Sequence, residues 1–183
     1  MVRIDRVHTG GGDKGESSLV DGSRRLKSDL RFSVVGDCDE LNAIIGLVRM
    51  ESSRIPMHHI DGGDRKNAGR VQFICDTALS RVQHELFDLG AELACPPENI
   101  PEYMVLINEN QADMLVSDMD AWLTQTEPLT SFILPAGGAP QAVLHHARTV
   151  ARRLERGIVR LRQHEGDASI RPLVLTYVNR LSD

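Results

Sequence analysis

The sequence has few aromatic residues, no excess of basic over acidic residues and no long hydrophobic run. Each of these absences argues against a class of protein or of core. Aromatic side chains make up 4% of the 183 residues and hydrophobic ones 41%, so we expect a core of aliphatic and methionine side chains. The formal net charge of −5 lacks the basic excess of nucleic-acid binders. No apolar run approaches the roughly 18 residues that span a bilayer, and residues 1–6 lack the apolar stretch of a secretory signal. We therefore expect no nucleic-acid partner and no membrane association.

Cysteine is also scarce. Cys38, Cys75 and Cys95 are odd in number and widely spaced, so they form neither a disulfide framework nor a Cys-x-x-Cys metal pair. This usage predicts core or surface residues in a reducing cytoplasm. His84-Glu85 lacks the second histidine of a zincin, and the Glu-x-x-His ligand pattern of di-iron bundles is missing. The sequence therefore predicts no metal held by the protein itself.

Hydrophobic periodicity divides the chain into a loop-rich N-terminal segment, 1–35, and a helix bundle, 36–183, within a single domain. Apolar residues at steps of three and four predict five amphipathic helices. Their expected spans are about 37–51, 71–93, 109–126, 140–165, and from Ser169 onward with that serine as the N-cap. Almost no strand pattern accompanies them, so the fold class is an all-α helix bundle.

The segment 9–18 is rich in glycine and also contains lysine and hydroxyl side chains. Glycines let backbone N–H groups approach phosphate oxygens, and the other side chains add donors. Gly10, Gly12 and Gly15 satisfy G-x-G-x-x-G, but a dinucleotide fold needs a βαβ unit around that motif, and no parallel strand pattern exists here. From composition alone, a phosphate-binding loop and a flexible surface loop remain equally open.

Two basic clusters could hold a polyphosphate. The first, 24–27, reads Arg-Arg-Leu-Lys beside the glycine-rich loop, and its alternative interpretation is solvated surface charge. In the second, Arg148, Arg152 and Glu155 are separated by four and three residues, so they lie on one helix face. An exposed, internally paired charged face is the alternative there. The apolar character of the rest of that helix favours triphosphate binding.

Two further polar groups are ordinary by themselves. Asp37, Asp39 and Glu40 are expected in the first turn of a helix, where acidic residues favour the helix dipole. Whether one of them has an arginine partner elsewhere stays open. The polar run 179–183 at the end of the chain carries no signal of its own.

Taken in order, these motifs resemble the PduO-type ATP:cob(I)alamin adenosyltransferases over nearly the whole chain. The matching blocks are DKGESS at 13–18, RLKSD at 25–29, GDCDELN at 36–42, QHELFDLGAELA at 83–94, FILPAGG at 132–138, RTVARRLER at 148–156 and NRLSD at 179–183. The resemblance implies a ferritin-like, five-helix up-and-down bundle with a loop-rich N-terminal segment. It also implies a homotrimer with active sites between neighbouring subunits.

The resemblance also implies the site residues. The expected ATP-binding positions are Thr9, Gly10, Gly11, Gly12, Asp13, Lys14, Gly15, Ser17, Ser18, Lys27, Arg152, Arg153, Glu155, Arg156 and Asn179. The expected catalytic positions are Arg148, Arg152 and Asp39, with Arg148 and Asp39 paired across the subunit interface. Phe132 matches an aromatic residue that contacts cobalamin.

The implied reaction transfers the 5′-deoxyadenosyl group of ATP to the cobalt of cob(I)alamin, forming adenosylcobalamin and releasing triphosphate. ATP brings Mg²⁺, cobalamin is a substrate in its cob(I) or cob(II) form, and a K⁺ requirement stays open. A reductase and a cobalamin-dependent mutase or dehydratase are the expected partners.

Three departures from the family pattern bear on activity. Gly10 and Gly11 replace a basic residue and a threonine, so we expect weaker ATP binding. A Pro-Gly-Gly motif is relaxed to Pro-Ala-Gly-Gly at 135–138. Family chains continue past the NRLSD motif with an apolar half-helix, and without such a tail we expect a shorter last helix and a more open cobalamin pocket.

Two other functions remain open at this stage. One is an adenosylcobalamin carrier that delivers the cofactor with little turnover. An observation of catalysis, and not only of binding, would exclude this alternative. The other is a nucleotide-sensing trimeric scaffold, which predicts no spectral change with added cob(II)alamin.

Overall fold

Helices dominate the computed structural model, which describes residue 8 and residues 10–183. The described helices are α1 Leu30–Ser53, α2 Ala68–Leu93, α3 Glu109–Leu123, α4 Ala139–Glu165 and α5 Pro172–Ser182. Short 3-10 turns lie at Pro97–Asn99 and Asp167–Ser169. The strands β1 Glu16–Ser18 and β2 Arg24–Leu26 form an antiparallel hairpin with Ser17 opposite Arg25. The all-α prediction is confirmed, with this small hairpin added.

Helix α1 begins seven residues before the predicted start at position 37. Asp29 caps it, because its side chain accepts a hydrogen bond from the backbone N–H of Arg31 at 2.8 Å. Gly36, which suggested a boundary, lies inside the helix. A glycine there costs about 0.5–1 kcal/mol relative to alanine, but buried neighbours such as Val34 and Cys38 pack into the core and outweigh that cost. The expectation that residues 37–40 form the first turn is therefore wrong.

Helix α5 begins at Pro172, three residues after the predicted N-cap, Ser169. Ser169 instead ends the preceding 3-10 turn, and Arg171 occupies the cap position. Proline suits a first helical position because its missing N–H would have no helical partner there. The start of α2 and the end of α3 also differ from the predicted positions by three residues.

The core lies between the helices and is almost entirely aliphatic. Helix α1 packs against α2 and α4, and α5 packs against α3 and α4. Leu86, Leu89, Leu154 and Ile158 are among its fully buried side chains, and Tyr177 is the one aromatic residue in the buried core of the described chain. This composition agrees with the scarcity of aromatic residues in the sequence. No described helix is both long enough and apolar enough to cross a membrane.

The three cysteines are free thiols, two within helices and Cys95 just after the end of α2. Cys38 and Cys95 are buried and Cys75 is half-buried. Burial, with help from the nearby Asp39 and Asp37 carboxylates, raises the pKa of Cys38 to about 12. That thiol is therefore protonated at neutral pH and acts as a core side chain.

A buried polar network joins three helices. The hydroxyl of Tyr177 on α5 donates to Glu85 on α2 at 2.7 Å. Arg81 lies 3.2 Å from the other oxygen of Glu85 and donates to Asp118 on α3 at 2.7 Å. Burial raises the pKa of Glu85, and the hydrogen bond from Tyr177 partly offsets that rise. Removing the hydroxyl would leave the buried Oε2 of Glu85 without its donor.

We expect Tyr177→Phe to lower the free energy of unfolding by about 1–3 kcal/mol, the cost of an unsatisfied buried acceptor. Urea denaturation at neutral pH measures this change. Thr176→Ala is the matched control, because the Thr176 hydroxyl is exposed and bonds only within its own helix, to the carbonyl of Pro172. The control should change stability by less than about 0.5 kcal/mol. Equal losses in both variants would contradict the role assigned to the Tyr177–Glu85 bond.

Candidate functional site

The glycine-rich loop and Lys27 lie together at the open end of the hairpin. Gly10 and Gly15 have φ angles of 68° and 82°, in the left-handed region that favours glycine. The backbone N–H of Lys27 donates to the carbonyl of Gly15 at 2.8 Å. A Cβ atom on Gly12 would lie 2.9 Å from the Lys27 ammonium nitrogen. The structure thus brings these predicted ATP-binding residues together, while the predicted position Thr9 lies outside the described residues.

A second group of predicted residues lies on one face of α4 and the facing end of α5. Arg148, Arg152 and Arg156 are exposed and follow one another at steps of four residues. Arg152 Nη1 lies 3.4 Å from the hydroxyl of Ser182 on α5. Asn179 donates to Glu155 at 3.1 Å, so the polar end of α5 aligns with this arginine face. Planar guanidinium groups in such a row suit the oxygens of a polyphosphate.

Arg153 is engaged differently from the other predicted arginines. Its Nε donates to Asp37 on α1 at 2.9 Å, and its Nη2 bonds to Glu40. Two of the acidic residues of α1, Asp37 and Glu40, therefore have an arginine partner within the same chain. Asp39 between them is exposed, and neither it nor Arg148 takes part in an ion pair between described residues.

The two groups of predicted residues lie far apart within one chain. Arg25 of the hairpin is bound to Glu165 at the C-terminal end of α4. Glu165 follows Arg152 by 13 residues, which corresponds to roughly 20 Å along a helix. A single chain therefore fixes the hairpin to the end of α4 that is remote from Arg152.

An apolar cavity of about 420 Å³ is lined by all five helices: the middle of α1 and α2, the second half of α3, the first half of α4 and the end of α5. Aliphatic side chains such as Leu41, Val82 and Leu144 line it, and charged groups including Arg148 stand at its edge. Sequence reasoning did not identify this cavity. The signal available was the small residues on the apolar stripes of α2 and α4: Ala78, Ala147 and Ala151.

Phe132, predicted to contact cobalamin, does not line this cavity. It is fully exposed in the segment 124–138, which joins α3 to α4 and is exposed throughout. Leu129 and Leu134 of the same segment are exposed as well. Within the described chain, the structure therefore does not bring Phe132 to the other predicted site residues.

Metal ligands do not cluster in the part of the chain that the structure describes. No group of three or more histidine, cysteine, aspartate or glutamate side chains there is arranged to hold an ion. His58 and Asp64 come within 2.9 Å of each other, but they pair as a bridge across an exposed loop.

Comparison with known proteins relates this geometry to one family. The family described as "Cobalamin adenosyltransferase" matches residues 7–183. A corrinoid adenosyltransferase from Mycobacterium leprae is 37% identical over 187 residues, covering 100% of this chain and 88% of the relative. A corrinoid adenosyltransferase from Bacillus subtilis is 38% identical over 179 residues, covering 97% of this chain and 81% of that protein.

Solved structures show the same likeness. A variant of the PduO-type ATP:corrinoid adenosyltransferase from Lactobacillus reuteri, complexed with cobalamin and ATP, superimposes with a TM-score of 0.76 at 28% identity. The match covers 97% of this chain and 87% of that one. Together with the helical bundle, the glycine-rich loop and the arginine face of α4, these likenesses establish that the chain belongs to the cobalamin adenosyltransferase family.

Proposed function

We propose that this protein transfers the 5′-deoxyadenosyl group of ATP to the cobalt of cob(I)alamin, forming adenosylcobalamin and releasing triphosphate. The observation that carries the proposal is the row of exposed arginines on α4 beside the apolar cavity, with Arg148 shared by both. An anion-binding surface next to an apolar cavity suits a reaction between a nucleotide triphosphate and a large macrocycle with apolar faces.

The chemistry is a substitution at the 5′ carbon of ATP. A cobalt–carbon bond forms, the bond from the 5′ carbon to the triphosphate oxygen breaks, and its electron pair leaves with the triphosphate. Negative charge therefore builds on the leaving oxygens, where Arg152 and Arg156 on α4 can stabilise it. Lys27 and the loop N–H groups would hold the phosphates from the other side. In this proposal Mg²⁺ enters with ATP and not as an ion held by the protein.

We assign the cavity to one side of the corrin ring. A volume of about 420 Å³ is that of a pocket for a drug-sized ligand, so the rest of cobalamin would lie outside it. The aliphatic lining would exclude water from that side of the cobalt, and fewer axial ligands ease reduction to cob(I)alamin. Phe132, exposed on the segment that leads into α4, would contact the part of cobalamin outside the cavity.

We further propose a homotrimer with each active site built from two neighbouring chains. The separation of roughly 20 Å between Arg152 and the hairpin anchor supports this arrangement, because a neighbour's loop could reach the arginine face instead. The exposed Asp39 and Arg148, which form no ion pair within the described chain, are suited to pair with each other across the interface. The reductase and any cobalamin-dependent mutase or dehydratase would be separate proteins that meet this assembly.

The reaction is tested by an anaerobic absorbance assay with MgATP and chemically reduced cob(I)alamin. We expect Arg152→Ala to slow adenosylcobalamin formation by about 10²–10³-fold, because a group that stabilises transition-state charge is lost. Arg54→Ala is the control, since Arg54 is an exposed arginine outside α4 that pairs with Glu51 at the end of α1. Equal rates in the wild type and Arg152→Ala would show that the triphosphate does not lie on this face.

The same assay separates the alternatives. Wild-type protein that binds both substrates but forms no adenosylcobalamin would favour a carrier over a transferase. Protein that binds ATP and leaves the spectrum of cob(II)alamin unchanged would favour a nucleotide-sensing scaffold.

Filling the cavity with a larger side chain should weaken the binding of cobalamin and leave the binding of ATP unchanged. Leu144 lines the cavity and Val159 does not, although both are exposed to the same extent, 38%, on α4. We expect Leu144→Trp to raise the KM for cobalamin about tenfold, the effect of roughly 1.4 kcal/mol, and to leave the KM for ATP unchanged. Val159→Trp should change neither value. A rise in the KM for ATP instead would contradict the assignment of the cavity to the corrin ring.

Charge exchange tests the interface. We expect Asp39→Arg and Arg148→Asp each to shift the light-scattering mass from three times 20.3 kDa towards that of one chain, because like charges would then face each other. The double variant should restore the larger mass. A mass that is unchanged in both single variants would contradict the proposed pairing.

A further inference from the structure

We propose that Glu165, at the C-terminal end of α4, positions the glycine-rich loop for ATP by holding Arg25 of the hairpin. This inference rests on the proposed function, since it assigns a positioning role to two residues outside the predicted ATP site. Glu165 and Arg25 are separated by 140 positions in the sequence, so the link exists only in the folded chain.

The two oxygens of Glu165 serve different parts of the fold. Oε1 accepts a hydrogen bond from Arg25 Nη1 at 2.6 Å. Oε2 accepts one from Arg31 Nη2. Arg31 is fully buried and also donates to the carbonyl of Leu93 at 2.9 Å and contacts that of Ser169 at 3.3 Å. Glu165 is thus fixed to the helix bundle through one oxygen and holds the hairpin through the other.

The carboxylate is held in its charged form. Burial alone would raise the pKa of Glu165, but the hydrogen bonds from Arg31 and Arg25 outweigh burial and leave the pKa below its ordinary value of 4.5. The group is ionised at neutral pH, so both of its contacts are charge-assisted hydrogen bonds, the stronger kind.

Arg25 connects the bundle to the loop through very few residues. Lys27 follows it by two positions, donates its backbone N–H to Gly15 and extends its ammonium group over Gly12. The neighbouring Arg24 points to the opposite face of the strand, where it pairs with Glu16 and the carbonyl of Gly11. Arg24 therefore bonds within the N-terminal segment, whereas Arg25 ties that segment to the helices.

At the open end, the start of α1 also contacts the hairpin, because the backbone N–H of Asp29 donates to the carbonyl of Leu26 at 2.9 Å and Arg25 Nη1 lies 3.4 Å from the Asp29 carboxylate. The remaining attachments lie at its closed end. The backbone N–H of Val20 donates to the carbonyl of Ala94 at 3.0 Å, and Asn99 donates to Asp21 at 2.8 Å. The closed-end contacts would survive the loss of the Arg25–Glu165 pair, whereas the open end with Lys27 would keep its backbone bond to Asp29 but lose its side-chain link to α4, and would loosen. ATP binding would then have to order the loop, and that cost appears as weaker affinity.

Arg25→Gln is the sharpest test, because it leaves the Arg31–Glu165 pair intact. We expect faster hydrogen exchange at the Lys27 amide of the free protein and an MgATP dissociation constant about tenfold weaker by calorimetry, equal to roughly 1.4 kcal/mol. In turnover, the KM for ATP should rise, with kcat at saturating ATP and the KM for cobalamin unchanged. Arg25→Lys, which keeps the charge, should recover part of the affinity.

Two further variants complete the design. Glu165→Gln keeps an acceptor for the buried Arg31 and should reproduce the loss of ATP affinity. Arg162→Gln is the control, because Arg162 lies at the same end of α4 and pairs with the exposed Asp167 at 3.1 Å, away from the hairpin. It should change neither the exchange of the Lys27 amide nor ATP binding.

The outcomes distinguish this inference from the proposed function. Wild-type MgATP affinity in Arg25→Gln, or an unchanged exchange rate at Lys27, overturns the positioning role alone. Wild-type protein that binds no MgATP overturns the proposed function and the positioning role together.

Discussion

The fold depends on a guanidinium group that has no exposure to water. Arg31, near the start of α1, is fully buried, and a buried charge is tolerated only when it is paired and hydrogen-bonded. Its partners come from the end of α4, the end of α2 and the turn before α5: Glu165, Leu93 and Ser169. One side chain therefore aligns the ends of four helical elements. That alignment places Glu165 where it can also hold the hairpin.

Helix α4 carries two groups of charged side chains at different positions along its length. Its C-terminal end holds the hairpin, and its middle turns carry Arg148 and Arg152 beside the cavity. Because the helix has 27 residues and rises about 1.5 Å per residue, these systems cannot approach each other within one chain. The rigidity of a long helix thus gives the proposed site a reason to form between neighbouring chains.

The structure places some of the predicted site residues together and others apart, for identifiable physical reasons. The glycine-rich loop and Lys27 lie together because they are joined by a short hairpin, a local feature. Arg153, which the resemblance placed among the expected ATP-binding positions, is bound by acidic residues of α1. Phe132 lies in the segment 124–138, every residue of which is exposed. Whether it contacts cobalamin stays a prediction.

The sequence by itself determined the helical class, which follows from periodicity and local composition, and the family, which the ordered motifs indicated by resemblance. It placed α1 and α5 imperfectly, since Gly36 and Ser169 have local preferences that tertiary packing overrode. Only the tertiary structure decided the cavity and the pairing of Glu165 with Arg25 and Arg31. Those features join residues more than 100 positions apart, and no local propensity specifies which distant side chain will stand opposite once the helices pack.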